Sequence, residues 1–210
     1  MKRLSLLLLI ILFSVKVSLA LDLQQQVQLA IKDGSPKTVK IINHTGTGAG
    51  FLITSTGYIV TAAHVVKDNT TVEVVLNNGD WYKAQVINSS LVKDLALIKI
   101  SGTGFPFFKI ADSSKVFIGE FVIAIGYPFG KYSSTFGIVS GLLEVGEDKI
   151  LYTKSDVALN PGNSGGPLVN MAGEVIAIND AIESEANTTS FSIPSNTLAE
   201  ILPELLKETK

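Results

Sequence analysis

Three side chains in this 210-residue chain have types and contexts that could do chemistry together. Ser164 stands in NPGNSGGPLVN, residues 160–170, among three glycines and two prolines. His64 ends an apolar run in GYIVTAAHVV, and Asp94 directly precedes one in KDLALIKI. Each has an ordinary explanation alone: a loop serine, a core or loop histidine, a turn or cap aspartate. Together they supply what a serine nucleophile needs. A hydroxyl barely attacks at its free pKa, so an imidazole must take its proton. That imidazole needs a carboxylate to fix its tautomer and hold its charged form. The prolines fix φ and the glycines open backbone conformations closed to other residues, so the turn around Ser164 has a specified shape.

Composition narrows the chemistry further. With no cysteine there is no thiol nucleophile, cysteine–zinc site, disulfide or lipid-modified cysteine, and two histidines make a histidine-rich metal site improbable. No metal and no cofactor is expected. The only arginine is Arg3, and 14 lysines beyond residue 20 face 19 acidic residues in the chain, which argues against a nucleic-acid partner. Asn43, Asn69, Asn88 and Asn187 begin Asn-x-Ser/Thr sites, which matter only in a host that glycosylates.

The elements that must position these residues are mostly strands. Residues 1–20, MKRLSLLLLIILFSVKVSLA, read as a signal peptide: Lys2 and Arg3 precede a 12-residue apolar stretch, and Ser18-Leu19-Ala20 offers small residues for cleavage after Ala20. The apolar run is too short for a membrane span. The expected location is secreted or periplasmic, without stable membrane insertion after cleavage. Residues 21–37 read as a short helical segment, with Asp22 as cap and Leu23, Val27 and Ile31 as its apolar stripe. TVKII, AGFLIT, GYIVTAA, TVEVVL, WYKAQVI and LALIKI follow as short strands. After a break at SGTGFPFF, a second series runs EFVIAIGY, TFGIVSGLL, ILYTKS, GPLVN, EVIAIN and SFSIP. Six strands in each half with no helices between predict an all-β chain of two similar units. Trp81 is expected to pack within a strand and His44 to lie on the surface. The segment 199–210 reads as a helical tail that Pro203 kinks or interrupts.

His64 in TAAHVV, Asp94 in DLALIKI and Ser164 in NPGNSGGPLVN resemble the triad of trypsin-like serine proteases, in that family's chain order. GTGAGFLIT, GYPFG at 126–130, GIVSG at 137–141, TKSDVALNPGNSGGPLVN and GEVIAIN extend the resemblance to the HtrA/DegP type over residues 38–198. The resemblance implies two perpendicular six-stranded β-barrels, about 38–105 and 115–195, with the active site in the cleft between them. It implies an endopeptidase acting on unfolded or flexible proteins through an acyl-enzyme. An esterase using the same triad, or a catalytically silent binding module of the same fold, are the alternatives.

In such a reaction the attacked carbonyl oxygen becomes negative, and donors must already point at it. The glycine turn can aim the backbone N–H groups of Gly162 and Ser164 into one pocket. Asn163 stands where digestive members of the wider family carry an aspartate that pairs with a new N-terminal amine, so no zymogen switch of that kind is expected. No PDZ domain is expected after residue 198, and oligomeric state stays open because residues 21–37 differ from the family's trimerisation segment. The resemblance maps the substrate pocket onto Leu159, Ala181 and Ile182, with Asn179 and Asp180 alongside. Apolar walls predict small to medium aliphatic residues before the cut bond. Asp180 replaces the family's usual threonine; strand alternation predicts that it faces away from the pocket or sits at its rim.

Overall fold

The computed structural model describes residues 23–44, 46–145, 151–180 and 189–207. The signal segment and Asp22 lie outside them. Helix α1, residues 23–34, leads into six strands: β1 (Thr38–Asn43), β2 (Gly46–Leu52), β3 (Tyr58–Ala62), β4 (Thr71–Val75), β5 (Trp81–Ser90) and β6 (Leu95–Lys99). A four-residue helix, α2 (Ala63–Val66), interrupts the series straight after β3. The second series is β7 (Phe121–Gly126), β8 (Ser133–Val145), β9 (Leu151–Ser155), β10 (Pro167–Asn170), β11 (Val175–Asp180) and β12 (Ser190–Pro194), followed by α3 (Ser195–Leu205).

Each series closes on itself. The ring orders are β1-β2-β3-β6-β5-β4 and β10-β11-β12-β9-β8-β7, all pairs antiparallel. Closure removes the unpaired edges that a β-rich chain would otherwise expose. The predicted two-unit, six-strand organisation is the observed one.

Three apolar clusters stabilise this arrangement. One fills the first barrel, with Val39, Ile41, Leu52, Ile59, Val74 and Ile98 among its buried members. A smaller one fills the second around Val122, Val139, Leu168 and Ile176. The third joins the barrels: Phe51, Val60, Leu95 and Leu97 from the first meet Ile123, Ile125, Ile178 and Ile193 from the second. Side chains of this size contribute about 1.5–3 kcal/mol each when fully buried, so the junction is a core in its own right. Both helices add to it, α1 through Ala30 and α3 through Leu198, Ile201 and Leu205.

Three expectations change. Leu23 is exposed, and Ala30 joins Val27 and Ile31 on the packed side of α1. Trp81 is 61 % exposed at the start of β5, because that strand end lies at the barrel surface. Helix α3 is not interrupted at Pro203, which lies in its last turn; only two further residues of the helix follow the backbone bond that the proline forfeits. Among the described residues no helix is long and apolar enough to cross a membrane.

Candidate active site

The first barrel delivers His64 and Asp94 as a preassembled pair. β3 runs directly into α2, which places His64 on the first turn of a helix too short to satisfy its own N–H groups. Asp94 supplies the missing partners from the residue before β6. Its carbonyl accepts from the Ala63 N–H at 3.1 Å, and its Oδ1 accepts from the His64 N–H at 2.9 Å. Its Oδ2 lies 2.7 Å from His64 Nδ1. Asp94 holds a positive φ of 48°, a conformation its short polar side chain tolerates better than most. With Nδ1 held by Asp94, Nε2 is the ring nitrogen outside that bond. The His64 side chain is 46 % exposed and that of Asp94 only 14 %.

The second barrel delivers Ser164 on a loop built from backbone. Asn163 N–H bonds to the Asn160 carbonyl at 2.9 Å, closing a turn with Pro161 and Gly162 at its centre. Gly162 has φ 104°, and proline followed by a positive-φ glycine is the signature of a type II turn. A side chain at Gly162 would strike the Tyr127 carbonyl oxygen and lie 3.0 Å from Pro128 Cα. The GYPFG segment thus forms the wall of the turn, with Tyr127 N–H donating to Gly162 O at 3.2 Å and Phe129 N–H to Pro161 O at 3.1 Å.

One backbone bond carries the loop across to the other barrel. Ala49 N–H, on β2, donates to Ser164 O at 2.9 Å, and Thr61 Oγ1, on β3, donates to Ala49 O at 2.7 Å. Gly165, at φ 82°, presses so closely on this seat that a methyl group would collide with Thr61 Oγ1 and the Ala49 carbonyl and come within 2.6 Å of Ala62 N. Since Ala62 precedes His64 by two residues, the contact brings the Ser164 loop beside the His64–Asp94 pair. Ser164 itself is 6 % exposed. Ala49 and Thr61 were not singled out by sequence reasoning; the GTGAGFLIT motif contained Ala49 but carried no signal of its role.

Two of the residues expected on the substrate side, Asn179 and Asp180, have defined partners inside the protein. Asn179 is fully buried: its side chain donates to Pro167 O at 3.0 Å and accepts from Ser192 Oγ at 3.3 Å. Its backbone bonds Gly165 and Gly166 at 2.8 and 2.7 Å, so it clamps the Ser164 loop to β11. Asp180 is buried too, and accepts from Tyr152 Oη at 3.1 Å. A nitrogen of His64 and one carboxylate oxygen each from Asp94 and Asp180 lie within 4.8 Å of one another. Asp180 faces the His64–Asp94 pair, not a rim. Leu159 is half-buried against the second barrel's interior, and Ala181 and Ile182 lie outside the described residues.

Electrostatics follow from this grouping. Burial pulls the His64 pKa down, yet the hydrogen bond and charge of Asp94 and the charge of Asp180 outweigh it, so the imidazole titrates above the usual histidine value. The same three side chains are the one group of metal-type donors among the described residues. Two ligands sharing a zinc ion sit roughly 3.3 Å apart, given the usual bond lengths and tetrahedral angle. The 2.7 Å His64–Asp94 contact is shorter and is a hydrogen bond.

Two closed six-stranded barrels meeting at a serine, a histidine and a carboxylate define the class: a double-barrel peptidase architecture. Residues 48–178 match the trypsin-like peptidase domain, and the chain belongs to that family. It is 38 % identical over 172 residues to a protein of Synechocystis sp. named as serine protease HhoB, a match spanning 79 % of this chain and 41 % of that one. It is 40 % identical over 169 residues to a protein of Pseudomonas putida named as a DegP-like periplasmic serine endoprotease, covering 78 % and 35 %. Among solved structures, an HtrA-type protease, AlgW, with a tripeptide, superimposes with a TM-score of 0.79 at 29 % identity, covering 84 % of this chain and 62 % of that one. The chain thus spans about two fifths or less of the length of these curated relatives.

Proposed function

We propose that the protein is an exported serine endopeptidase that cuts peptide bonds in unfolded or flexible proteins, with Ser164 as nucleophile, His64 as base and acid, and Asp94 as the group that orients and charges His64. The observation that carries this reading is the pair of bonds from Asp94 to His64, at 2.7 and 2.9 Å, set beside the Ser164 loop by the Ala49–Ser164 link. Export, and the periplasm or exterior as the place of work, rest on the N-terminal segment and on the names of the similar proteins.

In the first half of the reaction Ser164 Oγ attacks the peptide carbonyl carbon as its proton passes to His64 Nε2. The carbonyl oxygen takes the electron pair and is met by the N–H groups of Gly162 and Ser164. Collapse breaks the C–N bond, and His64 returns the proton to the departing amine. In the second half a water gives its proton to His64 and attacks the ester carbon; Ser164 leaves with that proton and the acid product departs.

Small to medium aliphatic residues are the preferred ones before the cut bond. Support comes from Asp180, whose carboxylate is grouped with His64 and Asp94, and from Leu159, an apolar side chain packed against the second barrel's core. The test uses protein beginning at Leu21, an unfolded protein substrate and a fluorophosphonate that labels activated serines. Cleavage, with the label found on Ser164, is the expected result. An unlabelled Ser164 in protein that cleaves would overturn the assignment, and cuts dominated by Lys or Arg sites would overturn the preference.

A further inference from the structure

A proton shuttle of this type needs one carboxylate, and the site has two. Asp94 already occupies His64 Nδ1 and the His64 backbone N–H. Asp180 nonetheless ends β11 with its side chain 6 % exposed and a carboxylate oxygen within 4.8 Å of both partners. Placing a second carboxylate there is costly, since burial and a like charge nearby both oppose ionisation. Two features offset that cost. Tyr152, itself 1 % exposed, donates its hydroxyl to Asp180 Oδ2 at 3.1 Å. The second is the proton that His64 acquires during catalysis: with both carboxylates ionised, the cluster goes from two negative charges to one as the imidazole becomes imidazolium.

We propose that Asp180 is a positioning residue of the proton-transfer group, a second carboxylate that acts with Asp94 to stabilise the charged form of His64 and sets the working range of the peptidase at higher pH. The inference rests on the triad reading above. Asp180 is not required to touch substrate; it acts through His64. Its effect has two faces. Imidazolium formed in the transition state is better stabilised, while in the resting enzyme the neutral base that starts the reaction requires a higher pH. The direction agrees with the raised pKa of His64, to which Asp180 contributes alongside Asp94.

Among the described residues, the following groups surround the cluster. Asp94 comes from the residue before β6, and Tyr152 from β9. Lys154, also on β9, shares a cross-strand row with Asp180, since Phe191 is the partner of both. Phe191 lies between them in that row, and its ring packs on Tyr152 at 5.6 Å. Lys154 would oppose the effect of Asp180, and it is absent from the groups that shift His64.

The experiment measures kcat/KM against pH on fluorescein-labelled casein, using protein from Leu21 onward, its Asp180→Asn and Asp180→Thr forms, and Asp180→Glu as the charge-keeping control. The acid limb, through which activity rises as His64 loses its proton, moves to lower pH by about one unit in the Asn and Thr forms, the low end of what a neighbouring charge does. It stays in place in the Glu form. Tyr152→Phe, which withdraws the donor supporting Asp180, moves the limb the same way by a smaller step and serves where the Asn form does not fold. A second readout follows the His64 ring by NMR in the Ser164→Ala protein; the chain has only two histidines, so His44→Gln assigns the signals. A His64 titration or acid limb that does not move in the Asn or Thr forms overturns the inference. Failure of Ser164 to take the fluorophosphonate in unaltered protein overturns the triad reading instead, and the NMR titration still decides the role of Asp180.

Discussion

The two barrels build their halves of the site by different means. On the first barrel, side-chain chemistry holds the functional group: Asp94 makes three bonds to α2, two of them through its carboxylate. On the second, backbone shape does so: Gly162 and Gly165 at positive φ, Pro161 in the turn, and backbone hydrogen bonds to Tyr127, Asn179 and Ala49. The lesson is that the halves should fail differently. The base should be sensitive to an isosteric change of charge, and the nucleophile loop to an added methyl group.

The largest effects break both halves outright. Ser164→Ala and His64→Ala fold normally and lose casein cleavage by about 10⁶-fold, and Asp94→Asn by about 10⁴-fold because it favours the wrong imidazole tautomer. Steady-state assays with circular dichroism check both. Near-normal cleavage by Ser164→Ala would sink the mechanism.

Next comes the methyl test. Gly162→Ala forces a side chain into positive φ and against the Tyr127 carbonyl, which on the proposed mechanism displaces an oxyanion donor. The expected loss is about 10²–10³-fold in kcat, with substrate affinity little changed. An equal fall in kcat from Gly79→Ala, at a positive-φ glycine with open space around it, would show that the effect is not local to the site.

A smaller step sharpens the comparison at the seam. Thr61→Val keeps the shape of a fully buried side chain and deletes its bond to Ala49 O. Stability falls by about 1–3 kcal/mol, the usual cost of stranding a buried acceptor, and urea denaturation reads it. An unchanged urea midpoint would remove the seam from the account.

The smallest effect lies away from the site. Hydrogen bonds from the Ser114 side chain, the Asn196 side chain and the Ser114 backbone hold the Asp112 carboxyl down to about 2, fastening the loop before β7 to the start of α3. A depressed carboxyl stabilises the fold above its unfolded pKa, about 3.9, and loses that contribution as pH falls through its folded value. Asp112→Asn should therefore lower the melting temperature slightly at neutral pH, with the difference vanishing toward pH 2. A difference that grows on acidification would reverse the assignment.

Much of this was legible before any coordinates. Short runs rich in β-branched and aromatic residues and bounded by turn residues, such as TVEVV and FVIAI, marked the strands. TVEVV alternates buried and exposed residues, whereas Val122 to Ile125 of FVIAI are all buried, one side in the second barrel's core and the other in the junction. The candidate triad stood out because His64, Asp94 and Ser164 each sit at the end of such a run or in a turn between them. Asp180 was harder. Alternation placed it away from the pocket or at its rim, but which group waits on that face depends on how the two barrels come together, since His64 lies over a hundred residues earlier in the chain. Asn179 was hidden for a related reason: its partners, Pro167 and Ser192, belong to neighbouring strands of the closed sheet. Trp81 misled through its type, since a large aromatic residue is usually packed but here starts a surface strand.

The bond from Ala49 to Ser164 has a kinetic meaning. Neither barrel alone contains both Ser164 and the Ala49 seat that holds its loop, so on the proposed triad a chain with one barrel formed lacks the assembled site. Catalytic competence would then arrive only when the barrels dock, and a chain among unfinished copies of itself would not digest them before that step. In a refolding time course, fluorophosphonate labelling of Ser164 should lag the recovery of strand signal and coincide with burial of the junction core.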